Sequence, residues 1–220
     1  MSVGSDIKEV YRDVGSKIQI IRDTRKITEY IKYVLNAQVT KPFIREFFLD
    51  GEASYDTAIE AGDIIKMVTS GIYYMIMNKT PYILENEIIK NSIVIYKTNV
   101  QLNIDRPSEI KDEHTYLRRT TWNRVKSGAY ALLTSPLFGI SLETEEEIGL
   151  LDIKKGELYV PSSYGIKVLD RIFILGTDEY YRVTAIKPRR YENIDVVDVD
   201  TDTRPPTTTT TTSTTTTTTT

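Results

Sequence analysis

The chain has 220 residues, of which 40% are hydrophobic and 27% are charged, and its formal net charge is -3. This balance is typical of a core-forming protein with room for one domain or two small ones. A slightly acidic chain has no general attraction for nucleic acid, and the lack of cysteine excludes disulfides, thiolate zinc sites and cysteine nucleophiles. Residues 1–11 lack the apolar core of a secretory signal and no later run approaches roughly 20 apolar residues, so we expect no membrane partner.

The first half of the chain predicts mainly strands. Ser16–Asp23 is short and rich in isoleucine, which is typical of a strand. The apolar residues of 27–34 fit a helix and a strand, so that segment stays open. Ile64–Val68 and Tyr73–Met77 are rich in β-branched and aromatic residues and are joined through Ser70-Gly71, which predicts a hairpin.

Prolines and one helical pattern mark the expected boundaries. Pro81 and Pro188 predict turns, because proline cannot donate a hydrogen bond to a strand ladder. Pro107 is expected to end the first half. A helix is predicted from about Asp112, because four apolar side chains then recur at spacings of three, four and three: Trp122, Val125, Ala129 and Leu132.

A single offset in residue number superimposes 63–86 on 170–193 without a gap. Seven identities fall within these two stretches, at Asp63/Asp170, Ile65/Ile172, Tyr73/Tyr180, Tyr74/Tyr181, Pro81/Pro188, Glu85/Glu192 and Asn86/Asn193. We infer that one small structural unit is used twice.

The predicted fold class is mainly β, with two small antiparallel β-barrel or sandwich-like units, a helix-containing insertion and an irregular Thr-rich C-terminal arm. We expect a first β unit with an N-terminal arm in 1–106 and a helical insertion in 107–150. A second β unit is expected in 151–204. The Thr-rich tail, 205–220, has no apolar face from which to build a core.

No residue pattern indicates a catalytic, cofactor or metal site. The single histidine, His114, stands beside Asp112 and Glu113 without a nucleophile motif, so a solvated helix residue explains it better than a general base. The acidic stretch 143–147 and the aspartates of 195–202 lack the glycine and the spacing of a calcium loop. We therefore expect no enzyme, no metal and no cofactor.

Two sets of residues are candidates for contacts with other molecules. The paired tyrosines and a basic pair are candidates for a subunit interface: Tyr73, Tyr74, Tyr180, Tyr181, Arg189 and Arg190. Because neighbouring residues of a strand point to opposite faces, only one ring of each tyrosine pair can reach a given surface, and core packing remains the alternative. Glu145, Glu146 and Glu147 would repel phosphate if they lined a DNA channel, and a solvated face is their alternative role.

The run from Gly156 to Asp200 resembles the small β-barrel proteins of the tailed-bacteriophage neck, a family of head-tail connector, stopper and head-completion proteins. In that family a strand entering a "D-R-I" step is followed by a "Y-R-V" return strand that closes the barrel. The matching steps are Asp170-Arg171-Ile172 and Tyr181-Arg182-Val183. The second barrel unit and the insertion depart from the one-barrel pattern of the family.

The resemblance implies a structural virion protein in the neck or tail, forming a homo-oligomeric ring that joins head to tail. Its partners would be copies of itself, portal or adaptor proteins and tail proteins, with genomic DNA meeting it only by passage through a channel that the ring could gate. Two alternatives stay open: a tail or baseplate component, and a stalk-displayed module that binds host surfaces or glycans.

Overall fold

A computed structural model describes residues 3–22, 25–35, 47–111, 118–134, 155–177 and 179–202. In these ranges the chain forms one α-helix, twelve strands and a 3-10 turn at Ser162–Tyr164. The elements are α1 (Val3–Val14), β1 (Ser16–Arg22), β2 (Arg25–Leu35), β3 (Phe48–Ser54), β4 (Ile64–Met67), β5 (Tyr73–Leu84), β6 (Glu87–Lys97), β7 (Val100–Lys111), β8 (Arg118–Thr134), β9 (Lys155–Pro161), β10 (Arg171–Ile174), β11 (Tyr180–Tyr191) and β12 (Ile194–Thr201).

The strands form two closed antiparallel barrels, which confirms the mainly β fold with two barrel units. Barrel 1 closes in the order β1-β2-β3-β6-β5-β4. Barrel 2 follows the same path, β7-β8-β9-β12-β11-β10. Since a closed sheet has no edge along its wall, strand addition to the barrel wall is not available as a way of joining copies.

Each barrel is filled by the inward-facing side chains of its strands. In β3, burial alternates residue by residue, as expected for a strand with one face on a core. The core of barrel 1 is Ile18, Ile20, Ile31, Leu49, Ala53, Ile59, Ile65, Met67, Tyr74, Ile76, Ile93 and Ile95. The core of barrel 2 is Leu102, Ile104, Ala129, Ala131, Leu158, Val160, Ile166, Ile172, Ile174, Tyr181, Val183, Val197 and Val199. Burying each large aliphatic side chain stabilises the barrel by roughly 1.5–3 kcal/mol.

The predicted repeat is confirmed in strand boundaries and in register. The offset that carries Asp63 onto Asp170 also carries the bounds of β4 and β5 onto those of β10 and β11. The pair Ile65 and Tyr74 is matched by Ile172 and Tyr181. The β4–β5 hairpin is therefore correct, as is the first strand, and the open segment 27–34 lies in strand β2.

The helix predicted from Asp112 to Leu132 is wrong for residues 118–134, which form strand β8. This strand pairs with β7 and β9, so residues 100–111 and 118–134 belong to barrel 2, and the strands of the first unit end at Lys97 rather than at residue 106. Ala129 and Ala131 face the barrel core at a spacing of two, while Leu132 faces barrel 1. Apolar residues on both faces of the strand, counted together, have the spacing expected of one apolar stripe on a helix. Residues 112–117, 135–154 and 203–220 lie outside the described chain.

Pro81 and Pro188 do not lie in turns, because each is inside a strand, β5 or β11. The turns follow later, at Glu85-Asn86 and Glu192-Asn193. The pairing of β4 with β5 covers only Tyr73–Met75, so the outer part of β5 has one sheet neighbour and its proline needs no ladder partner. Proline in such an exposed strand also discourages addition of a foreign strand.

Helix α1 packs against the outside of barrel 1. Tyr11 is buried and its hydroxyl donates a hydrogen bond to Glu52 Oε2 at 3.0 Å. Lys8 forms an ion pair with Asp56, and the small Gly4 lets the helix approach the ring of Tyr55. The helix is thus held on barrel 1 by one buried ring and by polar contacts.

Candidate interaction surfaces

The repeated unit contains an ion pair that occurs once in each barrel. In barrel 1, Arg22 donates from Nε and Nη2 to the two carboxylate oxygens of Asp63, both at 2.7 Å. Its Nη2 also donates to the carbonyl of Ala58 at 2.6 Å, and the N–H of Glu60 donates to Asp63 Oδ2 at 2.8 Å. The hydrogen bond to Asp63 raises the pKa of the Arg22 guanidinium above its ordinary value.

Barrel 2 repeats this arrangement bond for bond. Arg106 donates to the two oxygens of Asp170 at 3.0 and 2.9 Å and to the carbonyl of Gly165 at 2.6 Å. The N–H of Lys167 donates to Asp170 Oδ2 at 2.8 Å. We call these two arrangements the Arg-Asp clamps. Both carboxylates are buried, and each clamp ties the first strand of its barrel to the segment just before the fourth.

The barrels pack against each other through apolar side chains that face outward. This third cluster joins Ile64, Met75 and Met77 of barrel 1 to Leu132, Tyr159, Ile194 and Val196 of barrel 2. At one point the approach is close, because a Cβ on Gly62 would lie 2.4 Å from the carbonyl oxygen of Asn193. The turn of the β11–β12 hairpin therefore contacts barrel 1.

The two barrels carry different residues at matching outward positions. By register, Arg171 and Arg182 of barrel 2 replace Ile64 and Met75 of barrel 1. Arg171 is itself buried, paired with Asp202 at 3.0 Å and stacked 4.1 Å from the ring of Trp122. Apolar residues therefore occur where the barrels meet and charged residues at the matching positions away from the contact.

The cleft between the barrels has a volume of about 700 Å³ and is lined by residues of both. Arg22 in its wall is held by Asp63, and Ser162 donates a hydrogen bond to Asp195 at 2.9 Å. Lys126 lies 5.2 Å from the ring centre of Tyr164. These polar groups already bond within the chain, which fits a structural cleft. Within the described ranges, no group of three His, Asp or Glu side chains could hold a metal ion.

Two of the four tyrosines predicted for a subunit interface are buried in the barrel cores, and the subunit role of the other two stays a prediction. Tyr74 and Tyr181 point into the two cores and are buried, so neither can contact another subunit. Tyr73 stacks on Tyr130 of barrel 2, and Tyr180 packs 4.7 Å from Phe173. Strand alternation is the reason, because one ring of each pair must face the core.

The structure does not describe the side chains of the remaining predicted site residues. Arg189 and Arg190 lie in strand β11, but their side chains fall outside what the structure describes. Glu145, Glu146 and Glu147 lie in the segment 135–154, outside the described residues, so a role in a DNA channel stays a prediction.

One exposed apolar surface of barrel 1 is the end of the β5–β6 hairpin. Four large side chains there are about half exposed: Tyr82 at 54%, Ile83 at 58%, Leu84 at 49% and Ile88 at 45%. Ile83 lies opposite Ile88, and both residues of the connecting turn, Glu85 and Asn86, have positive φ angles. Such a two-residue turn matches the twist of a hairpin. We call residues 82–88 the hairpin tip.

The base of this hairpin is held firmly to barrel 1. Lys79 donates hydrogen bonds to the carbonyls of Ile59 at 2.9 Å and Thr57 at 3.3 Å. Lys90 pairs with Glu52 at 2.5 Å, and this contact lowers the pKa of the Glu52 carboxyl. The hairpin tip is therefore an apolar surface presented on an anchored support. The apolar run Tyr82-Ile83-Leu84 in the sequence indicates the hairpin tip. It was not identified from the sequence, because a turn was expected at Pro81.

The chain matches no family model and no curated protein. Two solved structures are similar in part: K. pneumonia MrkH in its apo state, at 9% identity and a TM-score of 0.24, and MrkH described as a c-di-GMP-dependent transcription regulatory factor, at 6% identity and 0.22. Each alignment covers 92% of this chain and 85% of the other. At such TM-scores the likeness supports no conclusion about function. No helix in the described ranges is long and apolar enough to span a membrane.

Proposed function

We propose that this chain is a structural subunit of a tailed-bacteriophage virion, assembled as a ring in the head-tail neck. The observation that carries the proposal is the hairpin tip, where four large apolar side chains are exposed together on an anchored hairpin. Several exposed apolar side chains on one element are typical of protein contact sites. Subunit contact is thus the work that we assign to barrel 1.

The chain itself supplies a precedent for this mode of contact. The matching turn of barrel 2, at Glu192-Asn193, packs onto barrel 1 beside Gly62. The turn at Glu85-Asn86 lies at the same place in barrel 1. We therefore take the occupant of the hairpin tip to be a second copy of this chain. A repeated contact of this heterologous type forms a ring when its rotation closes.

The resemblance to neck proteins adds support to the proposal. The steps Asp170-Arg171-Ile172 and Tyr181-Arg182-Val183 fall at adjacent strands, with Arg171 opposite Arg182 in the β10–β11 ladder. In the proposed ring, the clamps and the inter-barrel contact would make each subunit stiff enough to transmit load between head and tail. Portal, adaptor and tail proteins remain the proposed partners.

The test is the assembly state of the full chain, alone and with neck partners, by mass photometry and electron microscopy. We expect cyclic oligomers. Ile83→Lys should weaken association roughly tenfold or more, because burial of one such side chain is worth about 1.5–3 kcal/mol. Val68→Lys is the matched control, since Val68 is exposed to 42% but lies outside the hairpin tip. A chain that stays monomeric within purified particles would refute the ring.

A further inference from the structure

The rings of Tyr73 and Tyr130 are stacked across the contact between the two barrels. Their centres are 3.7 Å apart and their planes differ by 13°. Tyr73 belongs to strand β5 of barrel 1 and Tyr130 to strand β8 of barrel 2. Both side chains are partly buried at the margin of the inter-barrel cluster. Small reagents can therefore reach a pair of phenols that the fold already holds in contact.

Parallel phenol rings at this distance are arranged for coupling between their ring carbons. A phenoxyl radical carries spin density on the carbons beside its hydroxyl, and the partner ring lies at stacking distance from it. Holding two reactants together in this way replaces a rare collision by an intramolecular step. The pair of Tyr159 and Tyr191 is less suited, with centres 6.1 Å apart and planes tilted by 48°.

We propose that Tyr73 and Tyr130 form an oxidative cross-linking site, at which a peroxide converts the two side chains into a dityrosine that ties barrel 1 covalently to barrel 2. Each ring loses one hydrogen from a carbon beside its hydroxyl, and a carbon-carbon bond forms between the rings. The two electrons reduce the peroxide and break its O–O bond. With hydrogen peroxide, the two hydrogens leave in two molecules of water.

The surroundings of Tyr73 favour its oxidation. A hydrogen bond from the hydroxyl of Tyr130 lowers the pKa of Tyr73, and the nearby charges of Lys66 and Lys26 act in the same direction. Burial, followed by the bond to Tyr73, raises the pKa of Tyr130 to about 12. Tyr73 is thus the ring that loses its proton first, and a phenolate gives up an electron more readily than a phenol.

The experiment treats the dilute full-length protein with persulfate and a light-activated ruthenium complex. We expect an internal cross-link: the product keeps the mobility of a single chain, shows dityrosine fluorescence, and weighs two hydrogens less. Peptide mapping should join the peptide of Tyr73 to that of Tyr130. Tyr73→Phe keeps the stacked ring but cannot form a phenoxyl radical, so the yield should fall by about tenfold or more as the high effective concentration of the partner is lost.

Two controls keep the result interpretable. Tyr130→Phe should remove the same cross-link, and circular dichroism shows that each variant is folded. Tyr191→Phe removes a hydroxyl from the tilted pair and should leave the yield unchanged. The proposal is overturned if folded Tyr73→Phe protein cross-links like the parent, or if mapping joins other tyrosines instead. Neither result depends on whether the chain forms a ring.

Discussion

The two Arg-Asp clamps make a matched test of the duplication. We expect Asp170→Asn in barrel 2 and Asp63→Asn in barrel 1 to lower the free energy of unfolding by nearly equal amounts. The substitution keeps the side-chain volume, so no cavity forms. It removes the negative charge, and the amide nitrogen that replaces one carboxylate oxygen cannot accept a hydrogen bond.

The magnitude follows from the contacts of each carboxylate. Each accepts two bonds from a guanidinium and one from a backbone N–H, and only 1% of the Asp170 side chain and 9% of the Asp63 side chain is exposed. Breaking a buried ion pair by removing one partner costs about 3–5 kcal/mol as a rule. The two arginines keep 30% and 34% exposure and so retain part of their hydration. We therefore expect about 3 kcal/mol for each variant, at the low end of that range.

Urea unfolding at pH 7, followed by circular dichroism, measures these losses. The double variant should lose about the sum of the two, since the clamps share no partner. Asp13→Asn on the exposed side of α1 is the control and should change stability by no more than about 0.5 kcal/mol. A loss below about 1 kcal/mol for either clamp would show that the shared geometry does not carry the stability that we assign to it.

Two further predictions concern backbone strain and pH. Leu169 of barrel 2 corresponds to Gly62 of barrel 1, is 46% exposed and has a φ of 76°. Leu169→Gly should therefore raise the urea midpoint, because it relieves about 1 kcal/mol of backbone strain. Gly62→Ala should lower the midpoint, because the added Cβ would clash with Asn193. Burial, and then the hydrogen bond to Glu52, raises the pKa of the Tyr11 hydroxyl above its ordinary value of 10. The protonated hydroxyl therefore contributes its full stabilisation below pH 10, and the free energy of unfolding should fall as the pH rises above 10. Tyr11→Phe should reduce that alkaline loss, and an unchanged pH profile from urea titrations at pH 8 to 12 would contradict this origin.

The sequence supported the β units because their strands are locally consistent. Ile64–Val68 and Tyr73–Met77 are rich in β-branched and aromatic residues and flank a turn at Ser70-Gly71, so local preference and final structure agree. The unbroken apolar run Tyr73–Met77 also carried a signal for burial on both faces, which the inter-barrel contact explains.

Other features depend on pairings that local patterns do not contain. Strand β8 contributes inward alanines and an outward Leu132 that together imitate a helical stripe. The single offset in residue number that superimposes Asp63 on Asp170 does not superimpose Arg22 on Arg106, because the two arginines lie closer together in the chain than the two aspartates do. The sequence repeat therefore did not reveal the clamps. The strands that carry the arginines are spaced differently along the chain from the segments that carry the aspartates, and the pairing of β1 with β4 and of β7 with β10 brings them together.

The contacts at the two ends of the barrel pair limit how a further barrel could pack in line with it. Loop residues 54–57 of barrel 1 contact α1, and the matching residues 161–164 of barrel 2 line the cleft with barrel 1. Helix α1 thus covers the end of barrel 1 that corresponds to the end of barrel 2 covered by barrel 1. At the opposite end, Arg171 and Arg182 replace the apolar residues that such a contact would need. A further barrel packed in line at this end would therefore meet Arg171 and Arg182 rather than an apolar surface, so the ring proposed above requires the hairpin tip to contact another part of the neighbouring copy.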